Sequence, residues 1–421
     1  MTARDRLADT VRLEGARLLA TLVRTVGSLP VAEDAVQEAT LAALRDWPRT
    51  GVPAEPRAWL TVAARRKAID LLRRENIRAG KERDGAELLE LSTSELPAEH
   101  VVRDDQLRLI FTCCHPALSL DARVALALRT LCGLSTAAVA EVLLSSEAAI
   151  AKRLTRTRQK IATARIPYRV PAATELPARL GAVCAVVHAL YTTGHAPRAG
   201  PAVLDLDVCA EAVRLARLLR DLMPDEPTVA GLLALLLLTE ARRPARTDAG
   251  GEVVPLAAQD RSRWDAALIA EGFALLADSL RKTDGLADVY QLQAAIAAEH
   301  ARTPSYSATD WAELVRLYDL LLGVAPGPAA ALARAVAVAE ASGAAAGLAA
   351  LDAVPPSQRW HAVRAELLAR EGRHPEAVAA LDVSLAGDVT APERRFREGL
   401  RRQWVDRTEA AGQDLPDGPP G

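Results

Sequence analysis

Residues 134–162, LSTAAVAEVLLSSEAAIAKRLTRTRQKIA, decide the fold class. Leu134–Ser135 opens as a helix cap does, and Val139, Val142 and Leu143 give a short first helix a small apolar face. A tight Ser-Ser turn follows, and a second helix begins near Ser146–Glu147. At about 100° per residue, Ile150, Leu154 and Ile161 fall within one narrow stripe, while Lys152, Arg153, Arg156 and Lys160 lie roughly opposite. One face can bury itself and leave the other for phosphates and base edges. This spacing predicts a helix-turn-helix. An ordinary helical hairpin with a solvated basic face has the same spacing, so the rest of the chain must decide between them.

The chain has 421 residues, too many for one ordinary core, and half of them are apolar. Aromatic residues make up only 3%, and alanine and leucine dominate, which suits packed helices better than sandwiches or barrels. No stretch of alternating β-branched and aromatic residues argues for a sheet. The net charge of −2 hides an asymmetry: residues 1–170 carry +6 and residues 171–421 carry −8. Basic residues concentrate in 57–83 and 152–169, and the second segment has no acidic residue. Such a bipolar chain points to nucleic acid at one end.

Five cysteines (Cys113, Cys114, Cys132, Cys184, Cys209) form no disulfide framework, and no apolar run reaches the ~18 residues that span a bilayer. The longest run, Gly231 to Leu238, reads as a buried helix segment. These features predict a soluble, cytoplasmic chain with reduced thiols and no membrane partner. Cys113-Cys114-His115 invites a metal reading, but no second ligand pair lies at useful spacing, so neither metal nor cofactor is expected.

Along the chain, helices are expected near 4–26, 31–47 and 56–75, with Pro48–Pro56 as a rigid loop. Residues 76–101 read as a polar, acid-rich linker. Residues 102–165 form a second unit containing the helix-turn-helix, and IPYRVP (166–171) breaks helix twice. Beyond 172 helices are expected at 174–192, 205–222, 226–243, 260–282, 286–301, 309–323, 328–342, 344–352, 358–371 and 375–386. AALDAV (349–354) and AALDVS (379–384) repeat at an offset of 30 residues, each after a glycine, Gly343 and Gly372, that would separate paired helices. That suits tetratricopeptide-like hairpins, although an irregular alanine-rich bundle would also accommodate it.

Two further segments belong with the first. In AEDAVQEATLAALRDW (32–47), Asp34, Gln37, Glu38 and Leu41 step along one face, away from Val36, Ala43 and Trp47, and a polar stripe with one leucine suits docking to a basic partner helix. In PRAWLTVAARRKAIDLLRR (56–74), Leu60, Ala64 and Leu71 make a buried stripe surrounded by Arg65, Arg66, Lys67, Arg73 and Arg74. Asp70 is spaced to pair with Arg66 or Arg74. A basic helix beside a rigid loop and Trp59 can hold a displaced single strand, or Trp59 can serve as core.

In this order, the segments resemble bacterial RNA polymerase sigma factors of the extracytoplasmic-function type, in the subgroup with a long C-terminal, tetratricopeptide-like helical extension. VVHALYTTGHAP, TEARRPARTDAGGEVVPLAAQDRSRWDAALIAEG and YQLQAAIAAEHARTPSYSATDWAELVRLYD are similar to that extension, although ALYTTGHAP (189–197) replaces a bulkier stretch of the family. The resemblance implies an all-α fold: sigma region 2 over 1–80, an acidic linker over 81–103, sigma region 4 over 104–166 and the extension over 172–421. It further implies that Asp34, Gln37 and Glu38 bind the β′ clamp helices of core polymerase. Trp59, Arg65, Arg66, Lys67, Asp70, Arg73 and Arg74 would open and read the −10 element, with the loop 48–56 cradling a flipped base. Glu147, Ala148, Lys152, Arg153, Arg156 and Arg158 would meet the −35 element, with Arg158 at the edge.

The implied partners are core RNA polymerase (β′ and β subunits) and promoter DNA, and the extension would dock a regulatory protein or fold back on the sigma module. The rival reading is a one-component helix-turn-helix regulator with a helical effector-binding domain. No Ser/His/Asp set, Cys/His set or glycine-rich phosphate loop appears, and the histidines are scattered, so no enzyme activity is expected.

Overall fold

A computed structural model describes residues 2–79, 108–164 apart from 132 and 144, then 166, 175, 177–197, 200 and 202–413. The linker expected over 81–103 and most of the break at 166–171 lie outside the described residues. Among the described residues all regular structure is helical apart from one isolated antiparallel bridge, Thr247–Val253. The chain forms two compact units, Met1–Leu190 and Tyr191–Gly421.

In the first unit α1 (Ala3–Val26), α2 (Leu29–Thr50) and α3 (Pro56–Ala79) pack against one another. Ala32, Ala35, Ala39 and Ala43 recur along one face of α2 and are all fully buried; their methyl groups let the neighbouring backbones approach closely. Leu18, Leu19, Leu22 and Val23 of α1 and Leu60, Ala64, Ala68 and Leu72 of α3 supply the rest, and Trp47 closes the core. Leu72 takes the place expected for Leu71, which is half-buried. Thr2 and Asp5 form a capping box at the start of α1, and Gly27 ends it at φ 72°.

Pro48 does not end α2 as expected. It sits in the last turn, where its missing N–H removes one bond, and the helix continues to Thr50, with the Gly51 N–H donating to the Trp47 carbonyl. The loop therefore shrinks to Gly51–Glu55.

The helical segment 108–113, α4 (Leu120–Thr130), α5 (Thr136–Val142) and α6 (Glu147–Thr163) build a second core around Leu109, Ile110, Phe111, Leu126, Leu128 and Ile150, all buried. Helix α7 (Pro177–His195) contributes Val183, Cys184, Val186, Val187 and Leu190 to the first unit. Its Arg179, 3% exposed, donates to the Phe111 carbonyl at 3.3 Å.

The second unit contains α8 (Leu206–Leu222), α9 (Pro227–Glu240), α10 (Ala266–Arg281), α11 (Val289–Ala301), α12 (Trp311–Val324), α13 (Pro328–Ser342), α14 (Ala344–Leu351), α15 (Gln358–Arg370), α16 (His374–Leu385) and α17 (Ala391–Gln413). Helix α9 is buried from Val229 to Leu238, as its unbroken apolar sequence requires. Helix α10 lies so close that a Cβ on Gly272 would stand 2.6 Å from Leu238 Cγ. No helix of the described residues is long and apolar enough to cross a membrane.

Two expected helices are shorter than predicted. Helix α9 stops at Glu240 before a 3-10 turn at Arg243–Ala245, and α10 starts only at Ala266, where Asp265 caps the amides of Ala267 and Leu268. Successive helices from α12 onward pack as neighbours, and Gly343 (φ 94°) and Gly372 (φ 74°) sit between α13 and α14 and between α15 and α16, where the repeat placed them. Helix α17 was not expected at all; Leu400 and Trp404 anchor it against Leu368 and Leu381.

Candidate nucleic-acid interface

The helix-turn-helix forms as its residues dictate. Ser146 is the N-cap of α6, and its hydroxyl accepts the Ala149 N–H at 3.2 Å. The turn is held by the Ser145 amide on the Ala140 carbonyl (2.9 Å), and Arg129 Nη1 donates to the Leu134 carbonyl at 2.9 Å, fixing the approach to α5. Ile150, Leu154 and Ile161 are buried as predicted, joined by Thr157.

The opposite face carries the cations. Glu147, Ala148, Lys152, Arg156 and Lys160 are exposed, and Arg153 is half-buried. Arg153 approaches Asp121 at 3.7 Å, a pair with the carboxylate mostly in water and hence weak. Arg158 stands apart from this set: its guanidinium forms a two-pronged ion pair with Glu33 of α2, with Nη2 to Oε1 at 3.1 Å and Nε to Oε2 as the second contact. Glu33 is 7% exposed. Sequence reasoning missed this carboxylate, although an acidic residue inside the apolar run Val31-Ala32…Ala35 was a visible signal.

On α3, Arg66, Asp70 and Arg73 are exposed, and Lys67 and Arg65 are half-buried. Burial and the nearby Arg24 lower the Arg65 pKa. The side chain of Arg74 lies outside the described residues. Trp59 is half-buried with its ring edge-on to Trp47, centroids 5.6 Å apart. Beside the shortened loop, Arg17, Leu18, Thr21, Glu55, Arg57, Ala58 and Thr61 line a cavity of about 190 Å³.

On α2, Asp34, Gln37 and Glu38 are exposed, and Leu41 (51%) and Leu44 (41%) stand in water beside them. Leu44 was not among the expected residues, yet it extends the same stripe by a turn. Cys113 and Cys114 are buried in the core behind α4, where burial pushes the Cys113 thiol up to about 12 and Cys114 well above its ordinary value. Cys113 Sγ lies 3.4 Å from Thr130 Oγ1, and His115 Nδ1 accepts the Ala117 amide. Thiols held protonated in this way are packing groups.

Three family models match parts of the chain. Residues 10–77 match sigma-70 region 2, residues 108–161 match sigma-70 region 4, and residues 179–280 match a family of unknown function (DUF6596). An uncharacterised protein of Rhizobium meliloti (strain 1021) is 40% identical over 392 residues, 90% of this chain and 91% of that protein. A probable ECF RNA polymerase sigma factor, SigI, of Mycobacterium tuberculosis is 31% identical over 174 residues, covering 40% of this chain and 59% of SigI. No solved structure matches. The region 2 match runs from within α1 to within α3, the region 4 match spans the helix-turn-helix, and the third match begins within α7. The chain belongs to the extracytoplasmic-function sigma factors that carry a C-terminal helical extension.

Proposed function

We propose that the chain joins core RNA polymerase through Asp34, Gln37, Glu38 and Leu41, places α6 in the major groove of a −35 element and uses α3 to open and read a −10 element. The observation that carries this reading is the pair of exposed faces within one unit: a polar, acidic stripe with two leucines on α2 and a basic, serine-capped face on α6. A one-component regulator needs only the second of these. On α6, Lys152, Arg153 and Arg156 contact phosphates and base edges, with Glu147 and Ala148 at the helix start.

Melting costs about 1.4 kcal/mol of stacking per base-pair step, so a captured base has to offset several steps. The cavity beside Glu55 supports a place for such a base, with the exposed cations of α3 on the displaced strand. The sigma module supplies recognition and melting and makes no bond itself. The second unit regulates or assists it by docking a protein or by acting on the module directly.

Transcription from a promoter library with purified core polymerase and the full chain tests the reading. Addition of the chain is expected to create new, shared start sites, and Gln37→Arg with Glu38→Arg to abolish both core binding and those starts. Specific duplex binding without polymerase, unaffected by the double variant, would transfer the chain to the one-component class.

A further inference from the structure

Within the second unit, four separate segments bring an unusual set of groups together. The indole of Trp264, 5% exposed, has the Arg242 guanidinium 5.3 Å and the Arg261 guanidinium 4.9 Å from its ring centroid. Arg261 is anchored: its Nη1 donates to the carbonyls of His300 (2.6 Å) and Thr303 (2.8 Å), and its Nη2 to Thr309 Oγ1 at 3.2 Å. Arg246 Nη1 donates to the His195 carbonyl at 2.7 Å. Arg242 has no such anchor.

Polar atoms are left over. Arg242 Nε, Arg261 Nε, Trp264 Nε1 and His300 Nδ1 are all buried and have no hydrogen-bond partner. The charges felt by Arg242 are those of Arg246 and Arg261, with the phenols of Tyr191 and Tyr318 nearby. His195 in turn faces Arg246, Arg242 and Arg359. The carboxylates of the neighbourhood act on other groups than Arg242: Glu240 pairs with Arg243 at 2.7 Å and takes the Tyr191 hydroxyl, Glu240 and Glu393 partly offset the charge of Arg246, and Glu299 pairs with Arg302 through Oε2 at 2.7 Å, its Oε1 buried without a hydrogen-bond partner.

A guanidinium drawn partly out of water with no carboxylate against it is costly, and its planar fork of five N–H donors matches a carboxylate or phosphate. Both Arg242 and Arg246 remain half-buried, so a solute can reach them. We propose that Arg242, Arg246 and Trp264 Nε1 form a binding site for a small molecule bearing an oxyanion, a carboxylate or a phosphate group. The ligand supplies the acceptors that Arg242 Nε and Trp264 Nε1 lack, and its charge offsets those of the two guanidiniums. This site is independent of the promoter-binding reading and stands or falls without it.

Thermal unfolding of the full chain at constant ionic strength tests it, with chloride replaced stepwise by inorganic phosphate in one arm and by acetate in the other. The melting temperature of the second unit is expected to climb with the logarithm of one anion's concentration. Arg242→Gln should abolish that climb and, in chloride, melt no lower than the parent, since it removes an uncompensated charge. Arg316→Gln, in an exposed pair with Glu313, keeps the climb and corrects for general salt effects. Trp264→Phe keeps the ring and loses the N–H, and should weaken the effective anion roughly tenfold, the equivalent of one hydrogen bond.

The proposal is overturned if neither anion stabilises the parent beyond chloride or if Arg242→Gln retains the parental climb. Melting of Arg242→Gln several degrees lower in chloride would make Arg242 a packing residue and overturn it as well. Unchanged anion affinity in Trp264→Phe would remove the indole from the site and overturn the assignment as stated.

Discussion

In the first unit Arg66, Arg73 and Arg156 stand in water on helices whose other faces are buried, whereas in the second Arg242, Arg246 and Arg261 are drawn in among Trp264, His195 and His300. The same side chain serves opposite ends. A solvated cation costs little to maintain and gains from a polyanion by releasing counterions, with a strength that falls steeply in salt. A cation withdrawn from water is expensive when alone and selective when matched, because its energy depends on one partner in one geometry. The first arrangement suits many phosphates, and the second suits a single anion.

If the two units have separate cores, damage to one should stay there. Leu236 of α9 is fully buried, and Leu236→Ala is expected to cost the second unit about 2–5 kcal/mol from lost transfer energy and the cavity left behind. Hydrogen exchange should show α9–α11 loosening while α1–α3 keep their protection. Equal loosening of both would merge the units and end the comparison.

Acid should separate them next. Burial, with Arg242 and Arg261 close by, lowers His300 to about 4, and burial with Arg246, Arg242 and Arg359 lowers His195 to about 2. Both stay neutral in the folded chain at pH values where the unfolded chain, near 6.5, takes up protons. Stability of the second unit therefore falls as pH drops from 6.5 towards 4, with His300 accounting for about 3 kcal/mol at the bottom of that window. His300→Gln should remove roughly half of the fall in the urea midpoint over that range, His195 accounting for the remainder. A variant curve parallel to the parent's would show that the imidazole is not the group responsible.

The contrast recurs inside the first unit, on one helix. Arg156 is exposed, and Arg156→Ala should leave stability within about 0.5 kcal/mol while lowering the salt slope of promoter binding by about 1. Arg158 is tied to buried Glu33, and Arg158→Ala strands that carboxylate, at a cost of about 1–3 kcal/mol of stability. A stability loss from Arg156→Ala as large as that from Arg158→Ala would erase the distinction.

Periodicity explains which parts were legible beforehand. The stripes of α2 and α6 recur every three or four residues, so Ala43, Ile150, Leu154 and the exposed Asp34, Gln37 and Glu38 could be placed without coordinates. Gly343 and Gly372 were legible because a left-handed backbone at a helix end selects glycine. Helix α17 was missed because arginines crowd its sequence and only Phe396, Leu400 and Trp404 mark the apolar face. Pro48 misled because its cost depends on position within a helix, which composition does not record. The cluster around Arg242 was illegible for a deeper reason: His195, Arg242, Trp264 and His300 come from four segments, and only tertiary packing brings them together.

The smallest effect concerns the serine that starts α6. Removing its hydroxyl in Ser146→Ala frees the Ala149 amide and should cost about 1 kcal/mol. The loss is local to the helix-turn-helix and leaves the second unit's melting unchanged. Ser146→Asp keeps a capping oxygen and adds charge at the favourable end of the helix dipole, about 0.3–1 kcal/mol at low salt. If that helix end approaches DNA, the same charge repels phosphate, so Ser146→Asp should match or exceed the parent in stability yet bind promoter more weakly. A chain whose promoter binding tracks stability through both variants would place the N-terminus of α6 away from the duplex, and Glu147 and Ala148 would leave the set of contacts with it.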